Sequence, residues 1–150
     1  FDSSTAVDVD ACRVVHVSRI FDEGYGEDLV SIYFGKDDRS YVEIDLLAPE
    51  LSEGFAFEQF MRKPQGMPSD IVSAYWNGKR YVQSSEHVSS MSVSVETVDA
   101  EERLLALRCK ASLVNVEAGE VADRMKLPET VIEVTGKDFT TLVGQDDATE

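Results

Sequence analysis

A chain of 150 residues that is 43% hydrophobic and 29% charged has the size and balance of one ordinary globular domain. It can bury a real core without metal or several disulfides, and its composition excludes disorder except at the ends. Its 14 basic against 29 acidic residues give a formal charge of −15, which repels nucleic-acid phosphates and anionic lipid headgroups and leaves basic proteins and cations as partners.

The chain begins Phe1-Asp2-Ser3-Ser4 without an initiator Met, as a chain that has lost a leader would, and residues 1–10 read as a flexible end. No apolar run approaches the roughly 20 residues of a membrane-spanning helix. Period-2 alternation then dominates. Cys12 to Phe21 reads as a strand with Cys12, Val14, His16, Ser18 and Ile20 on one face and Arg13, Val15, Val17 and Arg19 on the other. The turn at Asp22–Glu27 leads to a second strand, Leu29 to Phe34. After Gly35-Lys36-Asp37-Asp38 a third runs from Tyr41 to Leu47, where Glu43 and Asp45 alternate with Val42, Ile44 and Leu46. The segment from Pro49 to Asp70 reads as an irregular crossover. Phe57, Phe60 and Met61 stand at helical spacing within it, and Pro64 and Pro68 end it.

Ile71 to Trp76, Asn77-Gly78 and Lys79 to Gln83 form the clearest local signal, because Asn-Gly suits a type I′ turn whose central residues both need positive φ. Met91 to Val98 and Arg103 to Val114 make a long amphipathic hairpin across Asp99-Ala100-Glu101-Glu102. Its apolar face carries Leu105, Leu107, Cys109, Ala111 and Leu113. Glu117 to Leu127 could hold a helical turn, with Val121 and Met125 at i, i+4 and Pro128 closing it. Two last strand pieces, Val131 to Val134 and Phe139 to Val143, flank Gly136, and residues 144–150 read as a frayed acidic tail. The expected architecture is mainly β. It is a single domain over residues 1–150, an antiparallel β-sandwich or a partly closed β-barrel with one or two short helical turns.

Cys12 and Cys109 lack CxxC spacing, which excludes a zinc knuckle or a thioredoxin-type motif. In an exported protein the expectation is one disulfide joining them, worth roughly 4–5 kcal/mol in the chain-entropy model. Two buried free thiols are the alternative.

The hairpin MSVSVETVDAEERLLALRCKASLV and the closing VIEVTGKDFTTLV resemble a broad class of small exported bacterial β-barrel or β-sandwich domains, often lipoproteins. The likeness covers the last sixty residues. It implies export to the periplasm, the envelope or the medium, and a β architecture. It implies no activity.

No GxSxG elbow, P-loop, GxGxxG or EF-hand order is present, so neither a cofactor nor a metal is expected. The acids Asp22, Glu23, Glu27 and Asp28 around two glycines read as turn residues rather than calcium ligands. His87 lies in a Ser-rich loop and His16 within a strand; a hydrolase using His87 is one alternative. Acidity is uneven: residues 1–50 carry 12 acids and 4 bases, residues 51–100 carry 6 and 4, and residues 101–150 carry 11 and 6. The nearly neutral middle third holds Phe57, Phe60, Tyr75, Trp76 and Tyr81, with Arg80 beside them. Aromatic and Arg enrichment with few acids marks protein interfaces, so these six residues are the expected contact site. The expected function is a non-enzymatic exported or envelope domain binding a macromolecular partner: an adaptor, an inhibitor or an immunity-type protein. A carrier of a small apolar ligand inside a barrel is the other alternative.

Overall fold

The computed structural model of the chain describes residues 3–61, 71–83, 88–115 and 123–143, the side chains of 3, 4, 60 and 61 aside. The alternating stretches form two five-stranded sheets. Sheet I contains β2 (Arg13–Asp22), β3 (Glu27–Asp37), β4 (Ser40–Leu47), β6 (Val72–Trp76) and β7 (Lys79–Tyr81), in that order and antiparallel throughout. Sheet II has the order β1 (Ser3–Ala6), β10 (Asp123–Thr135), β9 (Leu104–Asn115), β8 (Ser89–Asp99) and β5 (Ala56–Met61). Only β1 breaks the antiparallel rule, running parallel to β10. Neither sheet closes into a barrel, so the sandwich is the architecture that forms.

The core lies between the sheets and follows the period-2 pattern. Ile32, Ile44 and Leu46 of sheet I and Met91, Leu107, Leu113, Leu127 and Ile132 of sheet II belong to one fully buried cluster. Two bulges re-aim side chains. The register of β2 shifts between Val14 and His16. Val14 and Val17 therefore both pack inward and His16 is exposed, whereas unbroken alternation puts Val14 and His16 on one face. A second shift, between Val95 and Thr97, turns Val98 toward the core.

Several elements differ from the sequence expectation. Residues 136–143 form helix α1 (Gly136–Val143) rather than a strand, because Phe139, Leu142 and Val143 stand at i, i+3, i+4 and pack on the core together. The helical turn expected at Phe57–Met61 is strand β5, which pairs with the open edge of β8. A short 3-10 turn forms upstream instead, at Ala48–Glu50. Met125 lies in β10, not in a helical turn, and Pro128 falls where the ladder is interrupted between Leu127 and Thr130. A proline there removes no ladder bond. Val121 lies outside the described residues. At the other end, residues 3–6 pair with β10, and the Val7 N–H donates to the Lys126 carbonyl at 2.8 Å.

The expected Cys12–Cys109 disulfide is absent; both thiols are free. Cys109 is 1% exposed in the middle of β9. Cys12 follows the 3-10 turn Val9–Ala11 and directs its Sγ to the Asp8 carbonyl oxygen at 3.4 Å. Each thiol is thus held by its own surroundings. Burial pushes the Cys109 thiol up to about 12, and burial followed by the Asp8 carboxylate raises that of Cys12.

Polar ties fasten sheet to sheet at one corner and α1 to sheet I at another. Val82 and Val114 exchange two backbone hydrogen bonds of 2.9 Å just beyond β7. Beside them the Asn115 Nδ2 donates to the Arg80 carbonyl at 2.8 Å, and the Tyr81 hydroxyl donates to Asp123 Oδ2 at 2.8 Å. At the other corner Arg19 bridges Asp28 at 2.6 Å and the Leu142 carbonyl of α1 at 2.9 Å. A cation at the last turn of a helix also complements its dipole.

Candidate functional site

The outer face of sheet I gathers side chains that a purely solvated face would not need. Register places them in four rows across the strands. The first is Arg13, Gly35, Tyr41, Tyr75 and Arg80; the second is His16, Tyr33, Glu43 and Ser73. Ser18, Ser31 and Asp45 form the third, and Ile20, Leu29 and Leu47 the fourth.

Four rings of the first two rows touch in sequence. His16 and Tyr33 have centroids 5.4 Å apart, Tyr33 and Tyr41 meet nearly edge-to-face at 5.1 Å, and Tyr41 and Tyr75 lie 6.1 Å apart. The result is an aromatic stripe crossing β2, β3, β4 and β6. Gly35 interrupts its first row. A Cβ there would meet the Ser40 carbonyl oxygen and the Tyr41 Cα, and would lie 2.7 Å from the Tyr41 Cβ. Beside the stripe lies a groove of about 490 Å³. Of its lining, Arg13, Val15 and His16 come from β2, Tyr33 from β3, Tyr41 from β4, and Asp37 and Asp38 from the end of β3 and the turn after it.

A second groove of about 260 Å³ lies toward the β2–β3 turn. Its lining includes Tyr25, Leu29, Leu47 and Ile71, with Asp22, Asp45 and Glu50. The neighbouring hairpin tip exposes Ile20 (67%), Phe21 (58%) and Tyr25 (66%). Asp22 itself shapes the turn, since its Oδ1 accepts from the Gly24 and Tyr25 N–H groups at 2.8 and 3.2 Å.

The electrostatics of this face are one-sided. Burial first, then Glu43, raises the phenols of both Tyr33 and Tyr41, and Asp45 adds to the effect at Tyr33. Both rings therefore stay neutral and sit in a negative field. Among the described residues, the two grooves and the rows between them carry six carboxylates (Asp22, Asp37, Asp38, Glu43, Asp45 and Glu50) and two guanidinium groups, Arg13 and Arg80. The outer face of sheet II is different. Arg108 bridges Glu96 at 2.6 Å and Glu129 at 2.9 Å, and Ser90, Ser92 and Ser112 alternate there with Lys110.

The structure splits the six residues expected to form one contact site. Tyr75 is 38% exposed on the stripe, and Arg80 is its cross-strand neighbour on β7. Trp76 (7%) and Tyr81 (4%) face the core instead, one residue out of phase with them. Phe57 packs against the core from β5, in the other sheet. The Phe60 side chain and His87 lie outside the described residues. Sequence reasoning missed Tyr33, Tyr41 and His16. The signal for Tyr41 was present, since it shares the phase of Glu43 and Asp45 and so belongs to the wet face. His16 was obscured by the β2 bulge.

Among the described residues, no group of three or more His, Cys, Asp or Glu side chains is placed to hold a metal ion. No helix among them is long and apolar enough to cross a membrane. The chain matches no family model, no curated protein and no solved structure.

Proposed function

We propose that this chain is a non-enzymatic binding domain that presents the outer face of sheet I to a protein partner. The observation that carries this reading is the aromatic stripe His16–Tyr33–Tyr41–Tyr75, standing on a solvent-facing sheet beside a groove. Tyrosine supplies large contact area at small entropic cost, and aromatic and Arg side chains dominate interface energetics. The inner faces of the two sheets pack on each other in one cluster, so a carried ligand would have to use the surface grooves. An exported or envelope setting belongs to the same proposal. It rests on the likeness of the last sixty residues to small exported β domains, and the free thiols add nothing to it. The test is partner capture from the native source by the unaltered chain and by a Tyr41→Ala/Tyr75→Ala variant whose circular dichroism is unchanged. Capture should drop at least roughly tenfold, the scale of two interface aromatics. Capture that survives both truncations defeats the assignment of this face.

A further inference from the structure

We propose that the partner meets this face as an extended basic segment, with a Lys or Arg side chain seated in the Tyr33–Tyr41 groove and an apolar side chain in the groove beside the β2–β3 turn. The inference rests on the reading above and adds the chemistry and spacing of what binds.

Charge complementarity selects a cation. Asp37 and Asp38 line the first groove, and among the described residues the face carries six carboxylates and two guanidinium groups, within a chain of formal charge −15. An acidic segment or a nucleic acid would be repelled from it. Tyrosine faces attract ammonium and guanidinium groups, and a ring pair with carboxylates at its rim strengthens that attraction. Tyr33 and Tyr41 meet this description, with Asp37 and Asp38 at the same groove. Arg13 lies in the groove too, but its Nη1 is directed to the Lys36 carbonyl at 3.3 Å.

Geometry sets the spacing. Along β3 the first groove is lined by Tyr33 and Asp37 and the second by Leu29, so their centres lie about six residues, or about 20 Å, apart at the usual rise of a strand. An extended peptide covers that distance in about six residues. The apolar row Ile20–Leu29–Leu47 and the second groove give the far end of such a segment an apolar seat.

The test uses the whole chain, labelled with nitrogen-15. Three probes are titrated: an extended decapeptide with Arg and Leu six positions apart, the same peptide with citrulline in place of Arg, and cellohexaose as a neutral glycan. The expected result is saturable amide shifts at His16, Tyr33 and Tyr41, and at Leu29 and Leu47, with the Arg peptide. Citrulline should weaken binding by roughly tenfold, and so should Asp38→Asn, which leaves the sheet intact. Affinity should also fall as salt rises from about 0.05 to about 0.3 M. Equal binding of the citrulline peptide overturns the cation. Shifts at Tyr33 and Tyr41 with cellohexaose alone overturn the basic segment while leaving the face as a binding surface. Shifts confined to residues off this face also overturn it. Native capture that survives the tyrosine truncations removes the underlying reading, and this inference with it.

Discussion

A methyl group at Gly35 has nowhere to go, because the backbone of Ser40 and Tyr41 occupies its place. The consequence is local and measurable. Gly35→Ala should lower stability by roughly 1–3 kcal/mol, the usual cost of forcing atoms into a filled site. Urea unfolding checks it, and an unchanged midpoint would mean that β4 can shift aside. The same substitution should disturb the Tyr41 ring and hence the stripe, so the amides of Tyr33 and Tyr75 should move with it. Other residues act through phase rather than space. Tyr75 and Trp76 are neighbours in sequence, yet a strand sends one to solvent and the other to the core. The sequence displayed both as aromatic, and which one is outside is decided by the packing of β6, whose Val72, Ala74 and Trp76 join the core. Asn77 and Gly78 do hold the positive φ values (52° and 85°) that a type I′ turn needs.

At the scale of elements, the ties between sheets do more than their number suggests. The Tyr81 hydroxyl joins β7 in one sheet to Asp123 in β10 of the other, and Lys79 approaches the same carboxylate oxygen at 3.1 Å. Tyr81→Phe keeps the buried ring and removes that link. It should cost about 1–3 kcal/mol, as for a hydrogen bond to a charged group, and should speed hydrogen exchange at the paired Val82 and Val114 amides. Unchanged exchange there would show that the backbone bridge holds without the phenol. Elements with long runs of alternation were legible in the sequence, even where one bulge interrupts them. β4 and the β8–β9 hairpin lie where the pattern put them, because one face is apolar over many residues. Short elements at sheet margins were not. β5 and α1 are decided by what they pack against, and their local patterns fit two answers. The bulge in β2 hid His16 in the same way, since an inserted residue leaves no mark in composition. The candidate site was therefore half visible: Tyr75 and Arg80 could be named, while Tyr33, Tyr41 and His16 needed the register.

For the whole molecule, buried acids set the response to alkali. The Cys109 thiol keeps its proton to about 12 in the folded state against an ordinary 9.0, chiefly through burial. Tyr81 is likewise pushed up to about 12 from 10.0, by burial and then by its bond to Asp123. In each case the unfolded chain releases the proton first. Stability is thus complete below about pH 9 and declines as pH rises toward 12. Denaturant midpoints at about pH 8 and about pH 11 should show the decline, and Cys109→Ala should make it shallower. An equally steep decline in that variant would assign the effect elsewhere. The pairing of β1 with β10 carries a different kind of consequence, one of timing. Sheet I draws every strand from residues 13–81, whereas β1, which precedes them all, finds its partner only after residue 123 exists. At a synthesis rate of 5–20 residues per second, that wait is on the order of ten seconds. During it β5, β8 and β9, all earlier in the chain than β10, can already cover sheet I, so the first strand of sheet II in chain order is among the last to be placed.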